Sequence, residues 1–332
     1  MASEDVARES RPSAGAGEAA HQAAEAARGS SILDSMDGSS PLGAELADER
    51  RRRQALSETE LERPETTRTI TVSNQKGGVG KTTTTVNIAA ALAAQGFNVL
   101  VIDIDPQGNS STGLGVPHSA DEESVYDVLI DDLAFADVVT DCPDIERLQV
   151  VPATIHLAGA EIELVSLVAR EQRLQRALDQ YHRYREEQGE ERLDFVFIDC
   201  PPSLGLLTVN AFVAAQEVLI PIQCEYYALE GLSQLLNNIQ MIQKHLNPPL
   251  TVSTILLTMY DGRTRLAAQV AEEVREHFPD AVLETLIPRN VRISEAPSYQ
   301  QSVISYDRGS TGALAYLEAA AEIVARGEEA GR

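Results

Sequence analysis

The stretch Lys76-Gly77-Gly78-Val79-Gly80-Lys81-Thr82-Thr83 constrains the fold of this chain more than any other. It follows the apolar run Thr69-Ile70-Thr71-Val72 and leads into a long Ala-rich helical pattern, so it reads as the turn between a strand and a helix. A loop this rich in glycine can curl its backbone N–H groups around a phosphate chain without Cβ clashes. The helix that follows points its positive N-terminal end at the same anion. In such a loop Gly77, Gly78, Val79, Gly80 and Thr83 line the phosphates. Lys81 reaches the β- and γ-phosphates, and the Thr82 hydroxyl sits directly on Mg²⁺. The segment predicts a nucleoside-triphosphate site.

The loop also departs from the common pattern G-x-x-x-x-G-K-[ST]. Gln75 stands where that pattern needs glycine, and a second lysine, Lys76, opens the loop. The loop curls away from this lysine, so it is poorly placed for a nucleotide in its own subunit. It is better placed for the nucleotide of a facing subunit.

With 332 residues and 43% hydrophobic content, the chain can build one large α/β domain or two small ones. It has no uninterrupted apolar run of the roughly 18 residues that a membrane span needs. Its N-terminus is acidic and polar, unlike a secretory signal. Cys142, Cys200 and Cys224 are scattered, and neither they nor the six histidines have metal-ligand spacing. They read as reduced thiols of a cytoplasmic protein. The formal net charge of −24 argues against bulk attraction to nucleic acid, so any DNA contact has to come from a local basic cluster.

Residues 1–66 differ from the rest. They contain no aromatic residue, and 14 acidic against 8 basic residues give them −6, leaving −18 for the remainder. The expectation is a disordered acidic, Ala-rich arm, with helical tendency over Gly17–Arg28 and over Ala44–Glu62, which carries Arg50-Arg51-Arg52-Arg53. The arm is either solvated or a docking segment for a partner or an anionic surface. From residue 67 to 332 short apolar runs alternate with helical patterns. This predicts one α/β domain, a mostly parallel twisted sheet flanked by helices, with ligand at the carboxyl ends of the strands. Strands are expected at Thr69–Ser73, Asn98–Asp103, Leu148–Pro152, Asp194–Asp199, Glu217–Ile222, Val252–Met259 and Val282–Ile287. Helices are expected at Thr82–Ala94, Leu157–Leu167, Arg170–Arg183, Leu229–His245, Arg265–His277 and Thr311–Ala325.

Two strand ends carry acids. In Val101-Ile102-Asp103-Ile104-Asp105, alternation puts Asp103 and Asp105 on one face. One could hold a Mg²⁺-bound water and the other could orient the attacking water. Phe195-Val196-Phe197-Ile198-Asp199 ends in an acid that, paired with a phosphate loop, reads as the carboxylate supporting the metal through water. The stiff segment Cys200-Pro201-Pro202-Ser203-Leu204-Gly205 follows it and suits a sensor of the γ-phosphate.

These blocks carry a resemblance. NQKGGVGKTT at 74–83, DIDPQGNSSTGLG at 103–115, FIDCPPSLGLLTVNA at 197–211, PIQCEYYALEGLSQLL at 221–236 and IPRNVRISEAPS at 287–298 resemble the ParA/Soj family of partition ATPases. The resemblance is colinear over about 68–325. It implies a P-loop ATPase of the deviant Walker A class that uses ATP and Mg²⁺. Two subunits would close face to face with each Lys76 crossing to the other's nucleotide. That homodimer would bind double-stranded DNA without sequence preference, and a ParB-type centromere-binding protein would trigger hydrolysis that is slow on its own. The resemblance makes Lys76, Lys81 and Asp105 the catalytic set, with Asp105 positioning the attacking water. It puts Pro288 and Asn290 at adenine, and Arg263 and Arg292 at DNA, though both arginines also read as surface solubilisers. The implied location is cytoplasmic and nucleoid-associated. A MinD-type membrane-cycling ATPase shares Lys76 but would end in a basic amphipathic helix. Here the chain ends Ala325-Arg326-Gly327-Glu328-Glu329-Ala330-Gly331-Arg332, which is too acidic for that role.

Overall fold

A computed structural model of the chain describes residues 41–226 and 228–330. The chain divides into two units, Met1–Glu58 and Thr59–Arg332. The described part of the first is one helix, Pro41–Glu58. It starts three residues before, and ends four residues before, the helical stretch expected at Ala44–Glu62; the stretch at Gly17–Arg28 lies outside the described residues. This helix is polar all round, so it is held by pairs along its own surface. Arg53 bonds Glu49 at 2.8 Å, and Gln54 donates to Glu58 at 2.9 Å.

The second unit begins with an extended lead-in fastened to the sheet. Arg63 pairs with Asp194 at 3.1 Å and donates to the Gly96 carbonyl, and Arg192 donates to the carbonyls of Pro64 and Glu65. The lead-in therefore belongs to this unit's packing.

The sheet has strands β1 (Arg68–Val72), β2 (Val99–Asp103), β3 (Thr140–Asp141), β4 (Leu148–Val151), β5 (Phe195–Asp199), β6 (Glu217–Gln223), β7 (Thr251–Tyr260) and β8 (Val282–Pro288). Their order is β3-β4-β2-β5-β1-β6-β7-β8, all parallel except the β3–β4 pair. Every residue of β2 and of β5 is buried, as expected for strands covered by helices on both faces. Leu100 and Ile102 of β2, with Val196 and Ile198 of β5, pack against the helices Val125–Asp131, Leu157–Leu164, Arg173–Gln188 and Leu206–Ala214. A second cluster joins β6 and β7 to Ala228–His245 and Arg265–His277. The Lys81–Ala93 and Thr311–Ala330 helices pack against each other.

The seven expected strands are all present, within two residues at each end. The expectation omitted β3, too short to show alternation, and the Leu206–Ala214 helix. That helix, Leu-Leu-Thr-Val-Asn-Ala-Phe-Val-Ala, is buried at seven of its nine positions, so it has no polar face from which a 3.6-residue period could be read. It starts at Gly205, one turn beyond Asp199, and so sets where the intervening segment can lie. Register then brings the acidic strand ends together. Asp103 pairs with Asp199 across β2–β5, and Val72 with Asp199 across β1–β5.

Candidate nucleotide site

The loop between β1 and the Lys81–Ala93 helix is shaped by two glycines in the left-handed region, Gly78 at φ 76° and Gly80 at φ 88°. An L side chain there would be strained. Val79 between them is buried and anchors the loop, and its carbonyl accepts from Thr258 Oγ1 at 2.8 Å. Asn74 sets the entry: its amide donates to the Pro221 carbonyl at 2.8 Å and its Oδ1 accepts from Lys76 N at 3.0 Å. Gly77 and Gly78 are exposed, with no atom within 4 Å of where a Cβ would stand. Lys81 is buried as the first helical residue, and Thr82 and Thr83 are half-buried beside it. Gly77 to Thr83 thus form one open cradle of backbone donors at a helix N-terminus.

Lys76 lies outside that cradle. Its exposed Nζ is held 2.7 Å from Glu225 Oε2 in the segment after β6, and the other Glu225 oxygen accepts from Gln223.

The three candidate carboxylates converge at the strand ends, and all are buried. Asp199 accepts from Ser110 Oγ at 2.7 Å and Thr85 Oγ1 at 3.3 Å. Burial pushes its carboxyl up to about 6; hydrogen bonds from Ser110 and Thr82 and the charge of Lys81 oppose the rise, and the charge of Asp105 adds to it. Asp103 is pushed up to about 7 by burial and by the charge of Asp199. One Asp103 oxygen accepts from Ser111 N at 2.9 Å and Ser111 Oγ at 2.8 Å, and the other from Asp105 N at 3.1 Å. Asp103 therefore holds the turn that presents Asp105. Asp105 Oδ1 in turn accepts from Gln107 N at 3.0 Å.

Buried like charges beside a phosphate cradle call for a cation, and their hard oxygen donors suit Mg²⁺. Among the described residues no group of three or more His, Cys, Asp or Glu could hold a metal by itself. That too suits Mg²⁺, which is commonly held by one or two carboxylates together with substrate phosphates and water.

Beside Gly80 and Thr83 opens a cavity of about 300 Å³ lined by Thr258, Met259, Pro288, Asn290 and Tyr316 among others. Pro288 and Asn290 are therefore brought to the loop's flank. Asn290 also has structural work: its Oδ1 caps the Val291–Glu295 helix through Arg292 N at 2.8 Å, and its amide donates to Thr311 at 2.9 Å. Met259 sits at φ 51°, an uncommon backbone for a non-glycine residue, at the cavity wall. Nothing in the sequence marked Met259, because a dihedral leaves no trace in residue type.

Arg263 and Arg292 follow β7 and β8, at the same edge of the sheet. Arg263 is paired in a fork with Asp261, both contacts at 2.8 Å, and Arg292 contacts Glu295 at 3.0 Å and Asp307 at 3.3 Å. Arg289, also exposed, lies between them in sequence, and its N–H donates to the Tyr260 carbonyl at 3.1 Å. Sequence reading missed Arg289, although its place beside Pro288 and Asn290 could have drawn attention to it. Cys142, Cys200 and Cys224 are buried free thiols, and burial pushes Cys200 up to about 12.

A central parallel strand, a glycine-bent loop and a helix opening on lysine and threonine, with a buried acid on the neighbouring strand, define a P-loop nucleoside triphosphatase. The family model described as an AAA domain matches residues 67–252. The chain is 55% identical over 258 residues to the sporulation initiation inhibitor protein Soj of Bacillus subtilis, covering 78% of this chain and 98% of Soj. It is 49% identical to the chromosome partitioning protein ParA of Myxococcus xanthus, over 78% and 88% of the two chains. A crystal structure titled cobyrinic acid a,c-diamide synthase from Mycobacterium smegmatis, with bound ADP and magnesium, superposes with a TM-score of 0.67 at 38% identity, over 80% and 97%. The chain belongs to the ParA/Soj family of partition ATPases.

Proposed function

We propose that this ATPase works as a nucleotide-gated DNA clamp in chromosome or plasmid partition. ATP and Mg²⁺ are its cofactors. Mg²⁺, when bound, neutralises charge on the phosphate oxygens; the residues suited to hold it are Thr82 directly and Asp199 through water. Asp103 adds negative charge behind them while it holds the Asp105 turn. Gly77 to Thr83 and Lys81 bind the phosphates, Pro288 and Asn290 bound the base, and Asp105 orients the attacking water.

The observation that carries the reading is the placement of Lys76. It is the first residue of the phosphate loop, yet it is exposed and held by Glu225 outside the cradle. A lysine so placed can act on the nucleotide of a second copy brought face to face. Closing two copies also doubles the arginine set Arg263, Arg289 and Arg292, which lets a chain of net −24 bind DNA through a local patch only when dimeric. A ParB-type centromere-binding protein then stimulates slow intrinsic hydrolysis and releases the DNA. This activity places the protein in the cytoplasm on the nucleoid. Among the described residues no helix is long and apolar enough to cross a membrane. The synthase activity in the Mycobacterium title is not carried over, because the identity to Soj is higher and the basic edge has no part in diamide synthesis.

The test is double-stranded DNA binding by wild type and Lys76→Ala with ATP, with ADP and without nucleotide. Wild type binds with ATP alone and Lys76→Ala does not. Equal binding by both with ATP refutes the scheme.

A further inference from the structure

The Leu157–Leu164 helix, Leu-Ala-Gly-Ala-Glu-Ile-Glu-Leu, is apolar on two sides. Leu157, Ala160 and Leu164 are buried in the core. The opposite face, continued through the turn after the helix, presents Ile162 at 79% exposure, Val165, and Val168 at 86%, with Ile155 also exposed at the near end. A helix apolar all round is ordinarily buried all round, and a contiguous apolar strip on a surface marks a contact site. Beside the strip, Leu204 is exposed in the segment that follows Asp199. The two are in intimate contact: a Cβ at Gly205 would overlap the Glu161 carboxylate, whose Oε1 is buried without a hydrogen-bond partner.

The rim decides the occupant. Asp121, Glu122 and Glu123 are exposed on a turn fastened to the strip by a 3.1 Å contact between the Ala120 carbonyl and His156 Nε2, and Glu163 stands on the helix itself. An apolar strip with an acidic rim complements an amphipathic segment with basic flanks. It is a poor match for a second copy of a chain at −24, whose rim here carries the same sign.

We propose that the strip of Ile155, Ile162, Val165 and Val168 is where a basic amphipathic segment of the ParB-type partner docks. From there it acts on the 200–205 segment through Glu161 and Gly205. This deepens the partner-stimulated reading above and rests on it.

The experiment uses the full chain and the ParB-type protein of the same organism, and compares wild type with Ile162→Glu and Val168→Glu. Both substitutions are at exposed positions, so folding should be retained; a circular dichroism melt checks this. ATP-dependent dimerisation by sedimentation and DNA binding stay within about twofold of wild type. Partner binding by calorimetry, and the partner concentration for half-maximal ATP turnover, weaken tenfold or more. A Glu122→Lys/Glu123→Lys variant binds the partner severalfold more weakly and with a flatter salt dependence. Loss of the ATP-dependent dimer in the Ile162 and Val168 variants would overturn the proposal in favour of a self-interface. Unchanged partner binding in them, or none by wild type, would overturn it outright. Wild type that binds the partner through the strip without faster turnover leaves the docking site standing and instead refutes stimulation of hydrolysis.

Discussion

Arg263 shows how a surface cation on an acidic protein is held before it meets DNA. Its guanidinium is 88% exposed yet forked onto Asp261, whose carboxyl the same hydrogen bonds hold down at about 2. An exposed pair of this kind contributes roughly 0–1 kcal/mol, so a phosphate can displace Asp261 at little cost. Asp261→Asn should therefore tighten ATP-dependent DNA binding severalfold. Arg263→Ala should weaken binding equally on unrelated DNA sequences, which fluorescence anisotropy on two random duplexes would show. No change in either variant would make Arg263 a solubilising residue only. Gly80 makes the complementary point for the nucleotide. At φ 88°, alanine would cost about 1–2 kcal/mol in the folded chain, a modest loss of stability. The larger effect of Gly80→Ala falls on ATP, because the loop relaxes away from the φ that aims its N–H groups. Nucleotide binding should fall at least tenfold, while the melting temperature drops by only a few degrees.

At the scale of elements, Asn247 has an outsized role. Its buried amide reaches the carbonyls of Phe212, Val213 and Ala215 at 2.7, 3.3 and 2.6 Å, and so closes the C-terminal end of the Leu206–Ala214 helix. Asn247→Ala leaves these acceptors buried and unpaired, so it should destabilise by about 2–3 kcal/mol in a denaturant titration. Arg68 ties three elements in the same way. It meets both Glu217 oxygens at 2.7 and 2.8 Å and the Ile323 carbonyl at 2.6 Å, joining β1, β6 and the Thr311–Ala330 helix. Burial alone would raise the Glu217 carboxyl, but the Arg68 hydrogen bonds and charge outweigh it and hold the group below its ordinary 4.5. A depressed folded value means the pair's stabilisation is complete above about pH 4.5 and is lost as pH falls through the folded value. Glu217→Gln should cost about 2–3 kcal/mol at pH 7, and the gap to wild type should narrow in melts taken below pH 4. These two residues also show why part of the molecule was illegible in sequence. The strands could be read because β2 and β5 are short unbroken apolar runs, and the phosphate loop because glycine and lysine stand at fixed offsets in it. Asn247 and Arg68 act across separations of 32 to 255 residues, and no local pattern records such partners. The cavity beside Gly80 was half legible. Pro288 and Asn290 came from a motif, whereas Thr258, Met259 and Tyr316 arrive only when β7 and the Thr311–Ala330 helix fold against the loop.

For the whole molecule the governing quantity is the balance between a global charge of −24 and one basic edge. Over a Debye length of about 8 Å at physiological salt the acidic remainder is largely screened, so binding is decided by how many arginines touch phosphates together. If each subunit offers about two or three contacts, counterion release gives a slope of log K against log salt near −2 for one subunit, and about −4 to −5 for a dimer. A fourfold rise in salt then weakens the dimer on DNA by about 10²–10³, against roughly tenfold for a single subunit. A salt series with ATP and wild-type protein should show the steep slope, and the Lys76→Ala variant, if any binding is measurable, the shallow one. Equal slopes would mean that the number of phosphate contacts does not change with nucleotide. The gate would then lie in affinity per contact, and the arginine edge would not be what dimerisation doubles.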